Sequence, residues 1–159
     1  MKIIHADLIT LARRGAFDVI VHGCNCFCTM GAGIAHLIRQ EFPEAYDADL
    51  KTVKGDRQKL GSFSYADIKR GKHFFTIVNG YTQYAFSGPG PLVDYRALEK
   101  VFQAVKNRFG GLKIAYPKIG AGLAKGDWNT ISRIIDTALN EEDHTLVIYA
   151  PKKESAPDV

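Results

Sequence analysis

Apolar residues in this chain recur with two periods. Val19-Ile20-Val21 is a continuous apolar run and Leu112 to Tyr116 is apolar apart from Lys113, the pattern of short buried strands. Lys2 to Ala6 reads as a first strand and Thr145 to Ala150 as a last one. Gly61 to Asp67 alternates and Phe74 to Tyr81 follows a turn at Gly71, so the pair predicts an antiparallel hairpin. Helical spacing appears in Ile34, Leu37 and Ile38, in a helix from about Gly33 that stops at Pro43. It reappears in Leu98, Val101, Phe102, Val105 and Phe109, within a helix over Leu92 to Phe109 closed by Gly110-Gly111. Ile131, Ile134, Ile135, Ala138 and Leu139 mark a third helix, starting near Asp127. Leu11 to Phe17 reads as a turn, and the polar stretch Glu44 to Lys59 as an irregular helix and surface loop.

The predicted order is β β α β β α β α β. Helices can then cover both faces of a mixed sheet, giving an α/β/α three-layer sandwich with mainly six strands. Two strands each lead through a glycine-bearing loop into a helix. The first loop holds Gly23, Gly31 and Gly33, and the second runs Pro117 to Gly126 with Gly120 and Gly122. A helix start offers unpaired N–H groups, and glycine lets an anion approach the backbone. The first loop has the spacing of neither the dinucleotide nor the lysine-tipped phosphate fingerprint. If both strands run parallel, both loops share the carboxyl edge of the sheet, where open α/β sheets bind ligands. Two such loops facing one crevice predict a ligand with two phosphates. The Gly/Pro-rich segment Thr82 to Pro91 is expected to be a mobile loop over that edge.

At 159 residues, one domain over 1–150 with a charged tail at 151–159 is the expectation. The net charge of +4 is spread along the chain, which argues against nucleic acid as the primary ligand. Cys24, Cys26 and Cys28 alternate, unlike paired zinc ligands, so neither a metal nor a cofactor is expected. The thiols suit a reducing compartment. No signal peptide or membrane-length apolar run is present, which predicts a cytoplasmic protein, taken as a monomer.

Four segments together resemble the macrodomain family, the ADP-ribose-binding module. They are Asp7-Leu8-Ile9, Val21-His22-Gly23-Cys24-Asn25, Met30-Gly31-Ala32-Gly33-Ile34-Ala35, and Ile119-Gly120-Ala121-Gly122-Leu123 followed by Trp128. The match runs from Ile3 to Tyr149, and the family's fold is the sandwich reached above.

The resemblance implies a ligand role for each matching residue. Asp7, with Leu8 beside it, would meet the adenine, the role favoured over that of a cap or turn residue. Asn25 would contact the distal ribose, or bond its own loop backbone. Met30, Gly31, Ala32, Gly33 and Ile34, with Gly120, Ala121, Gly122, Leu123 and Ala124, would cradle the diphosphate. Tyr149 would wall the adenine or pack in the core.

The divergent branch that this chain looks like includes an ADP-ribose-1″-phosphate phosphatase and an enzyme that removes ADP-ribose from carboxylates. The second uses a lysine and an aspartate where this chain has Asn79 and Ala124. An amide cannot form an imine and alanine cannot act as a base. The resemblance therefore implies the phosphatase, with His22, Asn25 and Asp127 as the catalytic set. His22 is alternatively a satisfied core histidine, and Asp127 a helix cap. A non-catalytic reader of ADP-ribose and a de-ADP-ribosylating hydrolase are the other readings.

Overall fold

The computed structural model describes residues 1–150, so the tail read at 151–159 lies outside the described residues. The strands are β1 (Lys2–Ala6), β2 (Val19–Cys24), β3 (Phe63–Arg70), β4 (His73–Tyr81), β5 (Ile114–Tyr116) and β6 (His144–Tyr149). The helices are α1 (Leu8–Arg13), α2 (Gly33–Glu41), α3 (Pro43–Leu50), α4 (Tyr95–Phe109) and α5 (Trp128–Ala138). The six strands form one sheet in the order β1-β6-β5-β2-β4-β3. Every pairing is parallel except β3 with β4, the hairpin, which runs Phe63↔Gly80 to Arg70↔His73.

The two faces of β2 separate two cores. Val19 and Val21 point into one, with Leu98, Val101, Phe102, Ile131 and Ile135 of α4 and α5. Ile20 and Cys24 point into the other, with Leu8, Ala12, Ile38 and Ala45 of α1 to α3 and Phe42 between α2 and α3. Strict alternation on a central strand with helices on both sides is the three-layer α/β/α sandwich.

Two expectations fail locally. The segment read as a turn at Leu11 to Phe17 contributes to α1, a helix of six residues, too short to show a period. Asp7 caps it, its Oδ1 accepting from the N–H of Ile9 at 3.0 Å and of Thr10 at 3.3 Å. Pro43 does not simply end α2; it occupies the first turn of α3, where its missing N–H costs nothing. The stretch read as irregular therefore begins with a regular helix, and buries Ala45 and Asp49 one turn apart on it.

Candidate functional site

A cavity of about 570 Å³ opens at the carboxyl ends of β2, β5 and β4. Its walls are the two glycine loops, and they meet across it: a Cβ on Gly33 would stand 3.3 Å from Leu123 Cδ1. The glycines divide by role. Gly120 sits at φ +75° with Val93 Cγ2 2.8 Å from where its Cβ would be, and a Cβ on Gly126 would lie 2.5 Å from the carbonyl of Gly120. Those two are required by the loop's own packing. Gly122 has open space in the direction of a Cβ, and Gly31 meets only Thr29 O at 3.8 Å; both line the cavity. Packing does not require glycine at these two positions, which leaves bare backbone facing the cavity.

Helix α2 opens on the same space. Asp7, Asp94 and Asp127 cap α1, α4 and α5 with side-chain oxygens, whereas the N-cap of α2 is Ala32, which has none to offer. Gly33, Ile34 and Ala35, the first turn of α2, line the cavity. Their N–H groups and the positive end of the helix dipole face a place where an anion can complete the cap.

Of the residues expected in the site, Asn25, Met30 to Ile34, Gly120, Gly122, Leu123 and Ala124 line the cavity. Asn25 is fixed there by its own loop, donating to Thr29 Oγ1 at 2.7 Å and accepting from the Phe27 N–H at 2.8 Å. Ala121 turns its side chain toward the α4/α5 core and Leu8 is 4% exposed in the other core, so neither side chain reaches the ligand space. Asp7 and Tyr149 do not line the cavity; they stand together at the carboxyl ends of β1 and β6, where Ala6 pairs with Tyr149. Tyr149 is exposed, not core.

Two of the three expected catalytic residues are placed for other work. Asp127 is exposed and caps α5, its Oδ2 accepting from the Thr130 N–H at 3.2 Å and from Thr130 Oγ1 at 2.7 Å. Those bonds hold its carboxyl below the usual range. His22 is fully buried on the α2/α3 side of β2, behind the cavity wall. Its Nε2 lies 2.6 Å from Asn79 Oδ1, and Asn79 Nδ2 donates to the Ala45 carbonyl at 2.9 Å. That carbonyl only accepts, which fixes the amide orientation; His22 Nε2 must then carry the proton. Burial lowers the His22 pKa to about 4, partly offset by the bond to Asn79, so the ring is neutral at pH 7.

Sequence reasoning missed several cavity residues. Gln83 and Phe86 come from the loop after β4, and Leu92 donates its N–H to the Ala124 carbonyl at 2.8 Å, joining that loop to the second glycine loop. Cys24 lies on the wall as a buried thiol, its pKa pushed well up by burial. Asp49, from the α3 segment that carried little signal, also lines the cavity. Its only trace in the sequence is the four-residue spacing from Ala45 on a helix not readable as one. Among the described residues no group of three or more His, Cys, Asp or Glu is arranged to hold a metal, and no helix is long and apolar enough to cross a membrane.

Paired glycine loops and a helix without a capping side chain stand at one edge of a parallel-centred three-layer sandwich. The chain belongs to the macrodomain family. An uncharacterised 17.5 kDa protein of Enterobacteria phage T4 is 38% identical over 157 residues, 95% of this chain and 97% of the phage protein. The ADP-ribose glycohydrolase OARD1 of Bos taurus is 27% identical over 136 residues, 83% of this chain and 81% of OARD1. The macrodomain of Thermus aquaticus DarG superposes with a TM-score of 0.68 at 20% identity, covering 94% of this chain and 97% of that one. No family model matches the sequence.

Proposed function

We propose that the chain binds ADP-ribose and hydrolyses a bond at the distal ribose of an ADP-ribose derivative, with ADP-ribose 1″-phosphate as the substrate. The observation that carries the binding is the α2 N-terminus: it lacks a capping side chain and faces Gly31 and Gly122, where packing leaves room for a diphosphate. The order of strands supports the polarity of the ligand. Asp7 and Tyr149 stand over β1 and β6, the glycine loops follow β5 and β2, and Gln83 follows β4. An adenine near Asp7 then sends the distal ribose toward Asn25 and Gln83. Asp7 can serve both cap and ligand, since the cap uses Oδ1 and leaves Oδ2 to accept from an amine. The cavity is complete within one chain, and hydrolysis is the reaction named for OARD1.

In this reading Asn25 orients water at the distal ribose, and His22 supports the strand from behind rather than transferring a proton. A non-catalytic reader is the second reading. It is favoured by Asn79 and Ala124, which stand where the carboxylate-acting branch is expected to have lysine and aspartate, and by the burial of His22. Incubation with ADP-ribose 1″-phosphate separates the two. Phosphate release that saturates with substrate supports the enzyme, whereas tight ADP-ribose binding without release supports the reader.

A further inference from the structure

A single chain of side-chain hydrogen bonds runs from the sheet core to the cavity. His22 Nε2–H donates to Asn79 Oδ1, and Asn79 Nδ2 donates to Ser64 Oγ at 3.1 Å as well as to Ala45 O. Ser64 Oγ lies 2.8 Å from Tyr81 Oη, and the Tyr81 hydroxyl donates to Asp49 Oδ1 at 2.7 Å. Because Tyr81 gives its one proton to Asp49, Ser64 must donate to Tyr81. Every donor is consumed in one direction, and the chain ends on a carboxylate.

That carboxylate is only half used. Asp49 is 1% exposed, and its Oδ2 has no hydrogen-bond partner among the described residues. An unmatched buried carboxylate oxygen is costly, and the cost is relieved by a donor arriving from outside the fold. The cavity that Asp49 lines is where such a donor arrives. Lys59 does not take the role. Its ammonium donates to the Cys26 carbonyl at 3.1 Å and to Cys28 Sγ at 3.5 Å, and lies 4.7 Å from the centre of the Tyr81 ring. Nor do the neighbouring side chains of Cys28 and Thr52, whose Sγ and Oγ1 bond the Asp49 carbonyl at 3.2 Å and 2.6 Å. Burial pushes the Asp49 carboxyl up, while the Tyr81 hydroxyl, Lys59 and the Cys28 thiol favour its ionised form.

We infer that Asp49 is a specificity-determining residue whose Oδ2 accepts a hydrogen bond from a hydroxyl of the sugar that the ligand carries beyond its diphosphate. Tyr81, its anchor, ends β4, the strand on the far side of the glycine loops from Asp7. The inference rests on the ADP-ribose reading for the direction in which the ligand lies. Screened from bulk water, the bond is stronger than at the surface, and it selects a hydroxyl-bearing group over a bare terminal phosphate.

The experiment is calorimetric titration of the parent, Asp49→Asn and Asp49→Ala with ADP-ribose and with ADP, which lacks the distal sugar. The parent is expected to bind ADP-ribose at least tenfold more tightly than ADP. Asp49→Asn, which can still accept from Tyr81, should lose about 10- to 100-fold in ADP-ribose affinity while ADP affinity changes less than twofold. Asp49→Ala should show the same ligand selectivity or a larger one, with ADP binding reporting the folded fraction. Equal parent affinities for the two ligands would overturn the inference without any variant, and so would equal losses for both ligands in Asp49→Asn. A parent that binds ADP but not ADP-ribose more tightly thus fails this inference alone, whereas a parent that binds neither fails the ADP-ribose reading and the inference with it.

Discussion

At the rim of the cavity, Gly31 and Gly122 offer bare backbone with nothing packed where a side chain would go. Behind it, His22, Asn79 and Tyr81 are at most 1% exposed, and each polar group is matched to a neighbour. The rim offers backbone donors and an uncapped helix start, with Lys118 beside them, so its binding capacity is idle until an anion arrives. The buried chain is already satisfied except at Asp49 Oδ2, so its energy is spent on the fold. Substitutions should therefore dissociate: those behind the wall act on stability, those at the rim on binding.

The largest stability effect is expected at His22. Truncation to alanine leaves a void and strips Asn79 Oδ1 of its donor, a loss of about 2–4 kcal/mol by chemical denaturation. ADP-ribose affinity and phosphate release per folded molecule should stay as in the parent. A folded His22→Ala protein with release cut 100-fold or more would return the ring to the chemistry.

Acidity probes the same residue. The unfolded histidine titrates near 6.5 and the folded one near 4, so between these values the unfolded chain holds more protons and stability rises with pH. The contribution is complete above pH 6.5 and is lost as pH falls toward 4, about 3 kcal/mol in all. A His22→Gln protein lacks this proton, so its stability gap to the parent should narrow on going from pH 7 to pH 4. A constant gap would mean that burial does not hold the ring neutral.

The rim sharpens the contrast from within a single loop. Gly126→Ala places a methyl against the Gly120 carbonyl and should cost about 1–3 kcal/mol in stability. At the adenine end, Asp7→Asn keeps a good N-cap while removing the charge, so the melting temperature should hold and ADP-ribose affinity fall roughly tenfold. Asp7→Ala should lose the cap as well, about 1 kcal/mol of stability. Unchanged affinity in Asp7→Asn would leave that residue as a cap alone.

The same contrast explains what could be read from the residues. Continuous apolar runs and the helical stripe of α4 announced the sheet and its covering layers, and glycines after two strands announced the rim. Helix α1 has too few residues for a period, and α3 begins at Pro43 and carries no clear apolar stripe, so neither was legible as a helix. The buried chain joins residues 22, 49, 64, 79 and 81 from four elements, and no local pattern links them. His22 illustrates the limit: the end of a buried strand beside a ligand edge suits a proton carrier and a core histidine equally, and only the side of the strand it faces decides. Asp127 was legible as a cap because it directly precedes a helical stripe, and its bonds to Thr130 are those of a cap.

The central claim is that the two glycine loops hold a diphosphate. Titration of the parent and of Gly122→Glu with ADP-ribose, each with a melting curve, tests it most directly. The parent should bind in the micromolar range, about −7 to −8 kcal/mol. Gly122→Glu should melt within about 2 °C of the parent, because that side chain enters open space, yet bind ADP-ribose at least 100-fold more weakly, as its carboxylate repels the diphosphate at close range. A well-folded Gly122→Glu protein that binds ADP-ribose as tightly as the parent would contradict the account.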